Sequence, residues 1–394
     1  MKILFTKIIE IILFFIYAIL NIIFIKKRNR IIFISFPELS DNSWHLYKYA
    51  VKNLNAYEMV WLVNKDDPSF LEKAKKVNSY NKNKIRVVKR WSIKGFLLFC
   101  NSKIVFHTHG TYFFVRSTFN APILVNLWHG MPIKAIGFLD KKQKKDFCYS
   151  NFTLATSKKY QEIMSQVFGM PEENVLLTGL PRNDVLYNGV NNTEKNKIFD
   201  KLKITSQEKI LLWLPTYRVS SFGDIRTDSL NASFLDDLEP NFLEELNYLC
   251  VKNNIIVVVK LHPMDSITTK IKQNNFSNII FYDAIAWQEL NIDLYDVVSL
   301  SEGVITDFSS IMIDCLPTKV KVGFIKSSET NYNRKLIISM DELLPNLFII
   351  TKPSEFIDIV EIDKKSINLN VSILNSGESE TCKKILSIFK NTLE

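Results

Sequence analysis

The clearest candidate for chemistry in this chain is the segment WHGMPIK at residues 128–134, which directly follows an apolar run at 123–127. A histidine followed by glycine and proline is expected on a turn at the end of a strand. There the imidazole of His129 could accept a proton from an attacking hydroxyl near neutral pH, and Lys134 could supply charge to a phosphate. The alternative is a structural His129 bonded to a backbone carbonyl.

A second candidate follows the apolar run 210–214, where Pro215 ends the run and Thr216 and Arg218 come next. A hydroxyl and a guanidinium just after a strand form a plausible contact for an anion. A surface arginine in a loop is the alternative.

A third candidate is the run IIVVVKL at 255–261, which contains Lys260 and is followed by His262. A lysine in such an apolar strand is costly unless it is paired or points into a site. His262 would be a second imidazole at a strand end, in the other half of the chain from His129. A core histidine with a backbone partner is the alternative.

A fourth candidate joins a predicted strand at 303–306 to a helix-like run at 311–316. A serine before the helix is predicted to cap it, and the free N–H groups and positive dipole end there favour a phosphate. Plain capping without a ligand is the alternative. The residues in this segment that could hold an anionic donor are Thr306, Asp307, Ser309, Ser310 and Asp314.

These segments need strands to position them, and the surrounding sequence alternates strand-like apolar runs with helix-like segments. Such alternation predicts an α/β protein with parallel sheets covered by helices. Strands are predicted at 30–36, 60–63, 85–88, 103–107, 123–127, 210–214, 255–261, 278–282, 303–306 and 321–325, and helices at 45–53, 93–99, 242–252 and 311–316. Ligands of open α/β sheets bind at the carboxyl ends of strands, so a cleft between two domains is expected.

The length of 394 residues fits two domains at about 150 residues each. The stretch 187–207 is rich in Asn, Lys and Thr with few large apolar residues, which is typical of a domain boundary. We therefore predict a hydrophobic membrane segment at 1–29, an N-terminal α/β domain at 30–186, a linker at 187–207 and a C-terminal α/β domain at 208–394.

Composition excludes several classes of protein. Hydrophobic residues make up 47% and charged residues 23%, as in ordinary globular domains, so disordered and coiled-coil chains are excluded. The net charge of +9 favours an anionic partner, but the basic residues are dispersed without the aromatic interleaving of a nucleic-acid groove. Five scattered cysteines without a CxxC motif fit a reducing compartment.

The sequence predicts no cofactor and no metal site. It contains neither a Walker loop nor a GxGxxG loop. His107 and His109 flank Thr108, but an HxH pair without a third ligand is poor support for zinc.

Residues 8–25 are apolar except for Glu10 and Asn21 and are followed by basic residues up to Arg30. A helix of this length would be about 27 Å long, just short of a typical hydrocarbon core. It either crosses the bilayer once or lies in the interface with a stripe of Glu10, Tyr17 and Asn21 toward the headgroups. A buried core helix is a third possibility. The basic cluster favours the cytoplasmic face of the cell membrane.

In order and spacing, the segments from about residue 32 onward resemble the CDP-glycerol glycerophosphotransferases of teichoic acid and capsule synthesis. The resemblance rests on FISFPELSDNSWHLY at 33–47, NLWHGMPIKAIG at 126–137, GLPRND at 179–184, LWLPTYR at 212–218, VKLHP at 259–263 and VITDFSSIMID at 304–314.

The resemblance implies a GT-B-like pair of Rossmann-type domains, with a CDP-alditol donor held mainly by the C-terminal domain. The important histidines of the family correspond to His129 and His262. The residues predicted to bind the donor are Thr216, Arg218, Lys260, Thr306, Asp307, Ser309, Ser310 and Asp314. Those predicted for the acceptor or the cleft are Asn42, Gly130, Lys134, Arg182 and Asn183.

The implied reaction moves glycerol phosphate, or a related alditol phosphate, from the CDP-alditol to a hydroxyl of a lipid-linked or polymeric acceptor and releases CMP. Departures from the family pattern at 319–321, 326–327 and 334–335 leave the alditol open. The alternative function is a GT-B glycosyltransferase that uses a nucleotide sugar for surface polysaccharide. A non-catalytic scaffold at the membrane is a third class.

Overall fold

The computed structural model describes residues 2–24, 29–65, 67–77, 84–140, 149–216, 238–261, 276–325, 335–362 and 371–393. The chain forms two compact units. Unit 1 comprises Met1–Met131, Ile136–Asp184 and Glu378–Glu394, and unit 2 comprises Pro132–Ala135 and Val185–Gly377.

Unit 1 contains one parallel sheet of seven described strands. These are β1 (Arg30–Ile34), β2 (Glu58–Val63), β3 (Ile85–Lys89), β4 (Ile104–His107), β5 (Ile123–Asn126), β6 (Phe152–Ala155) and β7 (Val175–Leu177). Their order across the sheet is β3-β2-β1-β4-β5-β6-β7. The central strands are continuous buried runs, as expected for a parallel sheet covered on both faces.

Unit 2 contains a second parallel sheet of six described strands. These are β8 (Lys209–Leu214), β9 (Ile255–Lys260), β10 (Ile279–Tyr282), β11 (Gly303–Thr306), β12 (Lys321–Ile325) and β13 (Phe348–Ile350), in the order β10-β9-β8-β11-β12-β13. The aromatic rings of Trp213, Phe242 and Phe356 pack together in its core. The predicted α/β fold with two parallel sheets is confirmed.

Helices connect the strands in both units. They are α1 (Lys2–Ile23), α2 (Asp41–Asn53), α3 (Pro68–Lys76), α4 (Ile93–Cys100), α5 (Lys158–Phe168), α6 (Asp184–Asn188), α7 (Asn192–Leu202), α8 (Phe242–Lys252), α9 (Ala284–Leu290), α10 (Leu294–Leu300), α11 (Ile311–Cys315), α12 (Met340–Leu343), α13 (Ser354–Glu361), α14 (Thr381–Ile388) and α15 (Lys390–Leu393). Side-chain caps begin several of them, for example Asp67 for α3 and Ser157 for α5.

Two stretches differ from the sequence interpretation. The predicted linker at 187–207 contains α7, whose Ile198 and Leu202 are fully buried, so this polar stretch still provides an apolar helix face. The C-terminal residues 378–394, assigned by sequence to the second domain, group with unit 1. They are held there because the Asp184 carboxylate accepts hydrogen bonds from the first two backbone N–H groups of α14, at 2.7 and 2.9 Å.

Helix α1 packs on unit 1 through its polar stripe. Asn21 is fully buried and its side-chain amide donates to the Thr118 hydroxyl at 3.1 Å, while Glu10 forms an ion pair with Arg116 at 3.4 Å. Tyr17 is also fully buried, in the same hydrophobic cluster as Phe99. The expectation that this stripe faces headgroups is therefore wrong, because the stripe supplies the contacts that hold the helix on the domain.

The opposite face of α1 is apolar and exposed. Ile12, Phe15 and Ile19 are 52%, 58% and 55% exposed. Among the described residues, the segment Thr6–Ile23 is the one helical stretch that is long and apolar enough to cross a bilayer by length and composition.

Candidate active site

In each sheet the strand order reverses once, between β1 and β4 in unit 1 and between β8 and β11 in unit 2. At such a point the connections leave neighbouring strands in opposite directions, and ligands of α/β sheets bind in the crevice that opens there. Most of the described candidate residues lie in segments that follow these strands or their neighbours.

His129 lies on a sharp turn just after β5 in unit 1. The flanking residues Trp128 and Gly130 have φ angles of 49° and 132°, and the second value is one that glycine adopts far more readily than other residues. The imidazole stacks on His109, with ring centroids 4.3 Å apart and planes 10° apart, and contacts the Trp128 ring at 3.9 Å. The backbone turn and these rings together fix the half-buried imidazole.

The partner of His129 indicates which ring nitrogen carries the proton. Nδ1 of His129 lies 3.4 Å from the backbone oxygen of Thr108, a long contact with an atom that can only accept. Nδ1–H is therefore the assigned tautomer, and Nε2 retains its lone pair. Burial, followed by the charge of His109, lowers the pKa of His129 to about 3, so the ring is neutral at pH 7. A neutral ring with a free lone pair can accept a proton.

Asn42 and Arg182 hold the turn that carries His129. The side-chain amide of Asn42 donates to the backbone oxygens of Leu127 and Trp128 at 3.2 and 2.9 Å, and its oxygen accepts from the backbone N–H of Arg182 at 3.1 Å. The Arg182 guanidinium donates through Nη1 to the Asp41 carboxylate at 2.7 Å and to the backbone oxygen of His129 at 3.0 Å. Both predicted cleft residues are thus positioned against His129.

The segment that carries Arg182 is itself anchored. Pro181–Asn183 forms a 3-10 turn, in which Asn183 is buried. The next residue, Asp184, is the carboxylate that binds the start of α14. The GLPRND segment therefore joins the His129 turn to the C-terminal helix within unit 1.

His107, at the end of β4, has both ring nitrogens engaged. Nδ1 accepts from the backbone N–H of Gly110 at 3.1 Å, so Nε2 carries the proton and donates to the Ser150 hydroxyl at 2.9 Å. Burial lowers the pKa of His107 to about 3. This histidine is neutral and positions the loop that continues to His109.

In unit 2 the ends of β8 and β11 are tied by two side chains. The backbone N–H and hydroxyl of Thr216 donate to the two carboxylate oxygens of Asp307 at 2.7 and 2.6 Å. Thr306 is fully buried and its hydroxyl donates to the Leu214 backbone oxygen at 2.6 Å. Thr216, Thr306 and Asp307, which were predicted to bind the CDP-alditol, therefore hold the ends of β8 and β11 together. Their direct contact with a CDP-alditol stays a prediction.

Ser309 and Ser310 follow directly and are half-exposed. Ser310 occupies the N-cap position of the five-residue α11, but its hydroxyl makes no capping hydrogen bond, so the predicted side-chain cap is wrong. The reason is local, because Ser310 has helical dihedral angles instead of the extended ones that point a side chain back at the helix. Within the described residues, no hydrogen bond engages either hydroxyl, which leaves both available to a ligand.

Lys260 ends β9, the strand next to β8. Its ammonium lies 5.6 Å from the centre of the Trp287 ring. Burial lowers its pKa to about 8, so it remains mostly protonated at pH 7 and offers a positive charge with little competing water.

Two other predicted residues lie in structural positions. Asp314 is fully buried and accepts a hydrogen bond from the Tyr295 hydroxyl, which joins α11 to α10. Lys134 belongs to unit 2, where it forms an isolated antiparallel bridge with Leu336. His262 and Arg218 lie outside the described residues.

The structure thus brings Asn42, His129, Gly130, Arg182 and Asn183 together in unit 1, and Thr216, Thr306, Asp307, Ser309 and Ser310 together in unit 2. Sequence reasoning missed two neighbours of His129. Asp41 directly precedes Asn42 in a segment already singled out, and His109 was considered only as a metal ligand.

Comparison with known proteins identifies the class of protein to which this arrangement belongs. Residues 16–369 match the model of the CDP-glycerol:poly(glycerophosphate) glycerophosphotransferase family. The chain belongs to this family. The resemblance found in the motifs is therefore confirmed, and the family is one of enzymes, whose members include teichoic acid polymerases.

Curated relatives of this glycerophosphotransferase family member include longer proteins. The chain is 24% identical to the teichoic acid poly(glycerol phosphate) polymerase of Bacillus subtilis, over 92% of this chain and 49% of that protein. It is 25% identical to the teichoic acid glycerol-phosphate transferase of Staphylococcus aureus, over 74% of this chain and 72% of that protein. The match to the ribitol-phosphate polymerase TarL of Staphylococcus aureus, at 26% identity, spans 48% of this chain and only 33% of TarL.

Solved structures share the fold of this family member. The wall teichoic acid polymerase TagF matches with a TM-score of 0.67 at 19% identity, over 93% of this chain and 89% of that chain. A TagF variant soaked with CDPG matches with a TM-score of 0.69, also at 19% identity. A UDP-GlcNAc 2-epimerase from Neisseria meningitidis also matches, with a TM-score of 0.53 at 11% identity over 92% of this chain and 100% of that chain. The fold alone therefore does not select a substrate.

Proposed function

We propose that this protein transfers glycerol phosphate, or a related alditol phosphate, from a CDP-alditol to a hydroxyl of a lipid-linked or polymeric acceptor in teichoic acid or capsular polymer synthesis. The acceptor oxygen attacks the β-phosphorus of the donor, the bond between that phosphorus and the bridging oxygen breaks, and CMP leaves. The observation that carries the proposal is His129, whose burial keeps the ring neutral and whose Nε2 makes no hydrogen bond to another described residue, in a chain that belongs to the glycerophosphotransferase family.

Unit 2 is proposed to bind the diphosphate of the donor. Ser309 and Ser310 are half-exposed residues next to the strand ends tied by Asp307. Lys260 adds a positive charge, and His262 and Arg218 are proposed to add further cationic or hydrogen-bonding groups. Phosphoryl transfer depends mainly on positioning and on stabilising charge, which is the kind of chemistry these residues supply.

Unit 1 is proposed to supply the general base. Nε2 of His129 receives the proton of the acceptor hydroxyl as the new phosphodiester forms. A pKa of about 3 keeps the ring neutral but makes it a weak base. The negative charge of a bound diphosphate favours the imidazolium and raises this pKa, so basicity increases when the donor is present.

A donor screen tests the proposal. The protein is incubated with a lipid-linked acceptor and, separately, CDP-glycerol, CDP-ribitol and UDP-sugars, and products are resolved by mass. We expect a CDP-alditol to be consumed with release of CMP and the UDP-sugars to remain intact. Consumption of a UDP-sugar alone would support the alternative, a glycosyltransferase of the same fold, and consumption of neither would favour a non-catalytic scaffold.

We further propose that α1 attaches the protein to the cytoplasmic face of the cell membrane by lying flat in the interface. Its polar stripe contacts the rest of unit 1 from Glu10 to Asn21. This part of the helix is about 16 Å long at 1.5 Å per residue. The face that carries Ile12, Phe15 and Ile19 lies on the other side of the helix and is exposed. A helix held along a domain in this way favours partial insertion over crossing the bilayer.

Replacing Ile12, Phe15 and Ile19 together by serine is expected to reduce binding to vesicles that contain phosphatidylglycerol by at least about 100-fold, since each large side chain contributes roughly 1.5–3 kcal/mol when buried. Co-sedimentation with vesicles measures the effect. The matched control is Tyr248→Ser in unit 2, which removes a side chain that is 66% exposed and should leave binding unchanged. Release of the wild-type protein from membranes by alkaline carbonate is also expected, whereas retention would indicate a spanning helix.

A further inference from the structure

His109 occupies a place that the proposed reaction does not yet use. It follows β4 at the point where the strand order of unit 1 reverses, two residues after the buried His107. His109 is an exposed residue, whereas His129, on which its ring stacks, is half-buried. Sequence reasoning considered it only as one half of an HxH pair.

The contacts of His109 fix its ring against that of His129. The two imidazoles are nearly parallel with centroids 4.3 Å apart, and the Phe36 ring lies at 75° to the His109 ring with centroids 5.8 Å apart. Thr108 contacts both histidines, through its hydroxyl to Nδ1 of His109 at 2.8 Å and through its backbone oxygen to Nδ1 of His129 at 3.4 Å. Thr108 therefore contacts both of the rings that stack on each other.

We propose that His109 is a positioning residue, which fixes the ring plane of His129 and covers one face of that ring so that Nε2 stays the free nitrogen. The inference rests on the proposed role of His129 as the general base. His109 itself exchanges no proton with the acceptor. His109 acts on His129 through contact between the two rings. An aromatic side chain without a titrating nitrogen should make the same contact.

Charge around His129 gives the inference a measurable consequence. In the described part of the chain, the charged or titratable groups that act on His129 are His109, Asp41 and Arg182. Asp41 favours the protonated ring, while burial and the other two groups favour the neutral ring. Removing the His109 ring exposes His129 to water, and this loss of burial raises the pKa of His129 toward its ordinary value near 6.5. The neutral base is then lost as the pH falls through the raised value.

The experiment compares the wild type with His109→Ala and His109→Phe by NMR of isotope-labelled histidine rings. The chain has five histidines, so single substitutions assign each signal. We expect His129 of the wild type to remain a neutral Nδ1–H ring between pH 5 and 8. In H109A it should titrate within this range as a mixture of tautomers, and in H109F it should behave like the wild type.

Kinetics give a second readout. H109A is expected to lower kcat for CMP release by roughly 10-fold to 100-fold, with KM for CDP-glycerol nearly unchanged, since misplacement of a reacting group lowers the rate of the chemical step. H109F should recover kcat to within about 3-fold. If H109A does not fold, His109→Gln replaces it, because glutamine lacks the stacking ring but keeps a polar group next to Thr108.

An unchanged titration and tautomer of His129 in folded H109A or H109Q would overturn the inference, as would failure of H109F to restore kcat. Failure of the proposed function is distinguishable. If the wild type releases no CMP from any CDP-alditol while the NMR changes occur as described, His109 still positions His129 but the reaction assigned to His129 is wrong.

Discussion

Replacing His129 by alanine is expected to lower kcat for CMP release from a CDP-alditol by roughly 10²–10⁴, the range typical of a lost general base. The physical reason is that a sharp turn and the contact of Nδ1 with the Thr108 backbone oxygen hold the ring, and alanine removes the Nε2 lone pair that is proposed to accept the proton. Release of CMP is measured with a lipid-linked acceptor under single-turnover conditions, so that product release does not mask the chemical step.

Two controls accompany this variant. Binding of CDP-glycerol should be nearly unchanged, because the groups proposed to hold the diphosphate are in unit 2. Added imidazole should restore part of the activity of H129A, since the cavity left by the ring can accept it. A rate within a few-fold of the wild type would remove His129 as the base, whatever the outcome for the other site residues.

Replacing Arg182 by methionine is expected to destabilise the protein by roughly 3–5 kcal/mol, the cost of leaving one partner of a buried ion pair unpaired. The Arg182 and Asp41 side chains are only 6% and 13% exposed, and the guanidinium also binds the backbone of His129. Urea denaturation followed by circular dichroism measures the loss. Activity should fall with stability, because the same guanidinium holds the His129 turn.

The matched controls separate the charge from the packing. The double variant Asp41→Asn, Arg182→Met removes both charges and should recover a large part of the lost stability. Lys383→Met breaks a surface pair with Glu380, in which both side chains are at least 60% exposed, and should change stability by less than about 0.5 kcal/mol. Equal effects of Arg182→Met and Lys383→Met would show that the buried pair does not stabilise the fold.

Much of the fold could be predicted from the sequence because the central strands are buried on both faces. Runs such as 255–261 read as nearly continuous apolar segments, and each predicted strand is present to within two residues at either end. The strands that were missed, β6, β7 and β13, have three or four residues and no long apolar run. Segments this short are defined by their pairing with a neighbour, which local sequence does not record.

The candidate site likewise contains residues that could be recognised from the sequence and residues that only the structure identified. Residues that follow long apolar strands, such as His129 and Thr216, were recognised because a polar group at a strand end stands out in the sequence. The roles of Asp41 and His109 were not recognised, because they depend on contacts with Arg182 and His129, which are distant in the sequence. Thr306 and Asp314 were recognised by position alone, and the structure gives their polar groups partners inside unit 2.

Sequence alone determined the family, the alternation of strands and helices, and the segments that carry chemistry, because residue type and local spacing suffice for each. Only the tertiary structure decided the direction in which the polar stripe of α1 faces, the place of the C-terminal helix on unit 1, and which ring nitrogen of His129 is free. Each of these depends on a partner about 20 to 200 residues away in the chain, and such partners meet only when burial of the sheets brings them together.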